Sequence, residues 1–140
     1  MVLGTPPGRP ARVFGRGHLH YRAGGLVYRV SHGSFLQTNR FLADSFAQAA
    51  IEGLQGNTAL ELFAGAGYFT LPLASRFGRV VAVESGVSGI RDLESNRNRA
   101  GIEHLETRHA AVELFLEKWD ARRQQRPDVV LLDPPRFGLG

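Results

Sequence analysis

The sequence predicts an α/β chain organised around a parallel, doubly wound sheet. From residue 58 onward, strand-like and helix-like segments alternate, which is the pattern of linked βαβ units. The first strand-like run, TALELF, passes directly into a glycine turn, GAGYFT. The second, RVVAVE, ends in Glu84, and the last, VVLL, ends in Asp133-Pro134-Pro135, so acids gather at carboxyl ends of strands, where such sheets bind ligands.

Taken in order, residues 1–17 are rich in proline, glycine and arginine and read as a flexible linker. HLHYR and LVYRVS flank Ala23-Gly24-Gly25 and predict a β-hairpin-like element. Apolar residues at 42, 46, 50 and 54 share one face of an amphipathic helix over roughly 39–54, ended by Gly56-Asn57. Residues 18–57 therefore lead into the sheet domain, and 58–140 form the N-terminal half of it. In that half TALELF is a strand, and helical spacing begins after Gly65 and Gly67. RVVAVE is the next strand, with a helix over roughly 87–100 stopped by Gly101. LETRH is a short third strand, AVELFLEKWDARRQQ a helix, and PDVVLLD a fourth strand. VVLL reads as a central strand buried on both faces, and a sheet that stops there reads as a fold truncated after its fourth strand.

Composition narrows the function. The 140 residues suit one domain. A net charge of +4 and a pI of about 10.3 suit a polyanionic partner, RNA or DNA. Cysteine is absent, which excludes disulfides, thiolate metal sites and a cysteine nucleophile within these residues. No apolar run approaches a bilayer span and no secretory leader opens the chain, so a cytoplasmic address is expected.

The ligand-binding reading rests on a few residues. Gly65 and Gly67 permit a tight turn and close approach of a ligand to the backbone, ahead of a helix start with free N–H groups. Glu84 is suited to accept the hydroxyls of a ribose, and Glu61 to brace the loop or meet an amine. Thr70 stands where a dinucleotide fold would have its third glycine. Two acids repel a pyrophosphate and attract an ammonium, so S-adenosylmethionine is expected in preference to NAD. Two prolines hold Asp133 in a non-helical backbone, and Arg136 is suited to meet a phosphate or brace Asp133. Phe35, Tyr68 and Phe137 each lie beside a ligand motif, as candidates to pack on adenine or a flipped base.

Arg9, Arg12, Arg16, Arg22 and Arg29, interleaved with Phe14, His18, His20, Tyr21 and Tyr28, fit phosphate contacts with base stacking and also fit a solvated linker and hairpin face. His18, His20 and His32 have no acid or thiolate cluster beside them, so no metal is expected. Phe115 and Trp119, four residues apart, read as helix packing.

Three separated motifs resemble one family. Ser34-Phe35-Leu36-Gln37-Thr38-Asn39 is similar to an SFFQVN-like segment. Glu61 to Leu71, ELFAGAGYFTL, is similar to a DLFCGxGxFSL-like loop, and Val130 to Gly138 contains LDPPRxG. Residues 30–140 thus resemble the methyltransferase domain of the class I, S-adenosylmethionine-dependent RNA 5-methyluridine methyltransferases, which act on tRNA or ribosomal RNA. The resemblance implies a Rossmann-like fold with S-adenosylmethionine as cofactor and RNA as partner. It implies cofactor contacts from Gln37, Glu61, Phe63, Gly65, Gly67, Tyr68, Glu84 and Asp133, with Gln37 and Asp133 also beside the target base. Phe35, Pro134 and Arg136 fall on the substrate side. Ala64 replaces the usual cysteine of the loop, and Ala110-Ala111 replaces a polar residue near the adenine. The family's chemistry adds a cysteine thiolate to C6 of uracil, methylates C5 and removes the C5 proton with a glutamate-type base. Both groups lie beyond the LDPPR segment, so the chain is expected to be a fragment inactive by itself. A cytosine-C5 or guanine-amine RNA methyltransferase, or a catalytically inactive nucleotide- or RNA-binding domain, are the alternative readings.

Overall fold

A computed structural model describes residues 15–34, 41–119 and 126–134. Strands β1 (His18–Ala23) and β2 (Leu26–Ser31) form an antiparallel hairpin, followed by helix α1 (Ala43–Ile51). Then come β3 (Gly56–Leu62), α2 (Thr70–Ala74), β4 (Phe77–Glu84), α3 (Val87–Ala100), β5 (Leu105–His109), α4 (Val112–Glu117) and β6 (Val129–Leu132). The last four strands make a parallel sheet in the order β5-β4-β3-β6. The chain crosses from β5 to the far side of β3, so the order reverses between β3 and β6, and the crevice there is the expected ligand position in such a sheet.

The hairpin turn follows directly from its sequence. Ala23 pairs with Leu26, leaving Gly24-Gly25 as a two-residue loop with φ of 56° and 76°, the positive values that match the twist of the flanking strands. α3 likewise stops where Gly101 adopts φ 67°, and the Gly101 and Ile102 amides close on the carbonyls of Asn98 and Arg97.

Successive residues of β3 and β4 point to opposite faces of the sheet. Ala59, Val80 and Ala82 pack with the hairpin, α1, α2 and α3 around Tyr28, Ile51, Leu73 and Leu93. Leu60, Leu62, Val81 and Val83 pack with Val112 of α4 and partly buried Phe115 on the other face. Phe115 and Trp119 are in ring contact at 5.3 Å, as their spacing predicts.

Two expectations are corrected, the extent of the first helix and the number of strands. The helix expected over 39–54 runs only from Ala43 to Ile51, because Gly53 takes φ 74°, and Gly56-Asn57 opens β3 instead of ending a helix. α2 is a single turn: Pro72 fits its first turn, where no intrahelical N–H is needed, and the Ser75 amide then closes the helix. The described residues hold six strands, two in the hairpin and four in the parallel sheet, more than the four after which truncation was expected. β6 is an edge strand among the described residues. Val129 and Leu131 pack on the core, while Val130 and Leu132 are 48% and 49% exposed, since no described element covers their face.

At the glycine loop it is Gly67 that permits close packing, against α2 and α3. A Cβ at Gly67 would lie 2.6 Å from Leu93 Cδ1 and 2.9 Å from Leu71 Cδ1, and its φ of 91° is one that side-chain-bearing residues rarely adopt. Gly67→Ala is therefore expected to destabilise the chain by about 1–3 kcal/mol, read as a lower urea midpoint with an unchanged m-value.

Candidate ligand-binding site

The carboxyl edge of the sheet brings together three acids from distant parts of the chain. Glu61 comes from the penultimate position of β3, Glu84 from the end of β4 and Asp133 from just beyond β6. The Asp133 amide lies 3.5 Å from the Leu62 carbonyl, extending the β3–β6 pairing to the crevice.

Glu84 organises the glycine loop. The Gly65 amide donates to Glu84 Oε2 at 2.7 Å, and the Gly86 amide donates to Oε1 at 2.5 Å. Each carboxylate oxygen keeps a further lone pair, so both remain able to accept a hydroxyl. Gly65 has φ 55°, and a Cβ on Gly89 would sit 2.9 Å from Glu84 Cγ, so the first turn of α3 approaches this carboxylate only because residue 89 is glycine. Sequence reading missed Gly89: nothing local in GVSGI distinguishes a packing glycine from a tolerated one.

Phe63 has φ 65°, the one positive value among described non-glycine residues. Backbone strain of this kind costs on the order of 1–3 kcal/mol and collects at ligand sites. Phe63 directly follows β3, where the chain leaves the sheet to enter the glycine loop.

Glu61 is 1% exposed, and its Oε2 has no hydrogen-bond partner among the described residues. Burial raises its carboxyl to about pKa 8, with Asp133 and Glu84 adding to the rise and the neighbouring Thr70 hydroxyl opposing part of it. Asp133 is also raised by burial. The site thus holds a buried carboxyl with one unpartnered oxygen beside two other acids, an arrangement that calls for a cationic or hydrogen-bonding ligand group.

A second polar set fastens the hairpin to this edge. Asp92, fully buried on α3, accepts from the Ser31 amide at 2.5 Å, the Ser31 hydroxyl at 2.8 Å and the Ser34 hydroxyl at 2.5 Å. One turn later Asn96 accepts from the Arg29 amide at 2.6 Å and donates to the Arg29 carbonyl at 3.0 Å and the Ala66 carbonyl at 2.9 Å. Asn96 therefore links hairpin, α3 and glycine loop in one side chain. The signal for this pair was the i, i+4 placement of two polar residues on the apolar face of α3, which sequence reading passed over for Asp92.

Tyr68, expected beside a ligand, belongs to the core: it is 5% exposed, rings with Phe69 at 4.7 Å and Tyr28 at 6.3 Å, and donates its hydroxyl to the Ala43 carbonyl. The reason is the hairpin and α1, which close over the residue following Gly67. Pro134 is exposed at the crevice. Phe35, Gln37, Arg136 and Phe137 lie outside the described residues. Ala110, next to the site, packs on the Leu60–Val83 cluster and its amide donates to the Glu84 carbonyl. Among the described residues no group of three His, Cys, Asp or Glu side chains is placed to hold a metal ion, and no helix is long and apolar enough to cross a membrane.

Comparison with known proteins matches most of this chain to a family. The family model described as tRNA (uracil-5-)-methyltransferase matches residues 16–140. An RNA methyltransferase from Streptomyces avermitilis, itself uncharacterised, is 36% identical over 135 residues, 92% of this chain and 30% of that protein. The 23S rRNA (uracil(1939)-C(5))-methyltransferase RlmD of Hahella chejuensis is 38% identical over 122 residues, 81% of this chain and 27% of that protein. In structure, the chain is similar to the tRNA (uracil-54, C5)-methyltransferase of Pyrococcus abyssi in complex with S-adenosyl-L-homocysteine. That similarity has a TM-score of 0.71 at 25% identity and covers 93% of this chain and 31% of that one. The chain thus spans less than a third of each of these relatives.

The buried Glu61 makes stability depend on pH. Its carboxyl ionises near 4.5 when solvated but near 8 in the folded chain, so between those values the unfolded state sheds the proton first. Its contribution to stability is therefore expected to fall as pH rises from about 4.5 to about 8 and to level off above. Urea midpoints at pH 5 and pH 8.5 should show this drop in the native chain and a smaller one in Glu61→Gln.

Proposed function

The chain belongs to the tRNA (uracil-5-)-methyltransferase family, and from that premise we propose that it forms the cofactor-binding part of an enzyme that methylates C5 of a uridine in tRNA or ribosomal RNA. The observation that carries this reading is the glycine loop held on Glu84 beside the unpartnered Oε2 of Glu61, at the point where strand order reverses.

The residues fit S-adenosylmethionine. Glu84 presents two oxygens, prealigned by the Gly65 and Gly86 amides, to the ribose hydroxyls. Glu61 and Asp133 offer carboxyl groups to the positive amino acid end, whose ammonium supplies the partner that the buried Glu61 Oε2 lacks. A pyrophosphate would meet three acids and no described compensating cation in the same place. When bound, this cofactor supplies an electrophilic methyl group on sulfur. The role of the chain's own residues is to fix the donor's orientation and to hold Asp133 rigidly at the rim through the proline that follows it.

Gln37 and Asp133 are the residues we assign beside the target base, with Phe35, Pro134 and Arg136 on the RNA side. The 140 residues hold no cysteine, so a thiolate for attack on C6 has to come from outside them. The fragment by itself is thus expected to bind cofactor without turning it over.

Titration calorimetry tests this reading. The chain should bind S-adenosylmethionine saturably and show no comparable heat with NAD. Glu84→Gln keeps the side-chain size but turns an amide toward a backbone N–H, and should weaken binding about tenfold, or ~1.4 kcal/mol. Absence of saturable binding in a chain with native circular dichroism would overturn the assignment.

A further inference from the structure

The outward face of the hairpin is cationic in a way the cofactor site does not require. His18, His20 and Arg22 alternate onto one face of β1, opposite Ser31, Arg29 and Val27 of β2. The other face carries Tyr21, Ala23 and Tyr28 into the core. Neither strand contains an acid. Arg99, in the last turn of α3, reaches across so that its guanidinium lies 3.1 Å from His20 Nε2, and the His18 and His20 rings meet edge to face at 5.4 Å. Arg16 precedes the strand, its carbonyl 2.9 Å from His18 Nδ1.

The nearest acids do not neutralise this surface. Asp92 is fully buried and occupied by Ser31, Ser34 and the Arg29 Nε at 3.5 Å. Asp44 accepts from the Gly24 amide at the hairpin tip, and Glu94 bonds Thr107 of β5. Arg16, Arg22 and Arg99 are all exposed. A guanidinium always donates, so His20 faces Arg99 with an unprotonated Nε2, and burial together with Arg99, His18, Arg16 and Arg29 lowers its pKa. The strip thus presents several exposed cations with no acid among them, and an anion in front of them is attracted by all of them at once.

Position adds to the charge. His18 pairs with Ser31, whose neighbour Ser34 is held by Asp92 near the start of α3, the helix that begins just after Glu84. From there the patch runs along β1 to Arg22, about 13 Å at the usual strand rise, with Arg99 against His20 midway. It is therefore a strip leading away from the ligand edge.

We propose that this strip, Arg16, His18, His20, Arg22 and Arg99, is a contact surface for the phosphate backbone of the substrate RNA, outside the nucleotide that reacts. The inference rests on the reading that the substrate is RNA. The arginines meet phosphates and the exposed histidine, His20, offers a ring face for stacking, so the contact positions the RNA without reading its sequence.

The test uses the whole 140-residue chain and a fluorescent RNA stem-loop, with anisotropy measured across a salt series. The double variant Arg22→Ala/Arg99→Ala is compared with Arg79→Ala, a control on β4 whose guanidinium pairs with Glu106 at 2.6 Å. The double variant should lose about tenfold in RNA affinity at low salt, and its log–log salt slope should flatten by about 1 to 2. The control should match the native chain, and S-adenosylmethionine binding should be unchanged in all three. Equal losses in control and double variant, native-like binding by the double variant, or no RNA binding by a native chain that binds the cofactor would each overturn the strip as an RNA surface. RNA binding through the strip in a chain that binds no cofactor would support the surface while sinking the cofactor assignment, so the two failures are distinguishable.

Discussion

Asn96 is the side chain on which the arrangement of this molecule turns. It is 1% exposed, and a buried amide is tolerable only when its donors and acceptor are matched. Its partners are the backbone of Arg29 in the hairpin and the Ala66 carbonyl inside the glycine loop. Satisfying one side chain therefore docks a two-stranded ribbon that has no core of its own against α3, and holds the loop that follows β3. Asp92, one helical turn earlier, does the same for Ser31 and Ser34. An isolated hairpin is marginal in water, and here its backbone edge is completed by helix side chains in place of a third strand.

The ligand edge follows the same rule and then departs from it at one place. Glu84 is matched by two backbone amides, which makes the loop a preformed structure. Glu61 is not matched: an acid that would be expelled from an ordinary core is kept at the crevice, neutral in the folded chain over much of the physiological range. Phe63 beside it is held at positive φ. An unpaired carboxyl and a strained backbone two residues apart lower stability, and both are understandable where a ligand group completes the set. The family to which the chain belongs makes that ligand S-adenosylmethionine in our reading, and the cationic hairpin face then lies along a side of the domain that an RNA can follow.

Much of this was legible in sequence. The hairpin turn follows from Gly24-Gly25, α3 from its spacing and Gly101, and β5 from LETRH, each at the expected residues. Glu61, Glu84 and Asp133 were readable as a group because a strand's end can be recognised from the turn that follows it. Tyr68 was misread because its position next to a ligand loop suggests exposure, while its actual neighbours, Tyr28 and Ala43, are 40 and 25 residues away in sequence. β6 was read as central from its apolar run, and among the described residues it pairs on one side only and leaves Val130 and Leu132 about half exposed, an apolar face that the run predicts.

What the sequence determined by itself is the order of strands and helices, the tight turns and the glycine loop, because periodicity and φ requirements belong to a few consecutive residues. The tertiary structure alone decided which polar side chains meet, with Asp92 and Asn96 joining residues 58 to 67 positions apart, and which face of the hairpin carries charge outward. It also decided that the Glu61 carboxyl is pushed well above the ordinary carboxylate range, since its ionisation depends on desolvation and on Asp133 and Glu84, groups that only folding brings beside it.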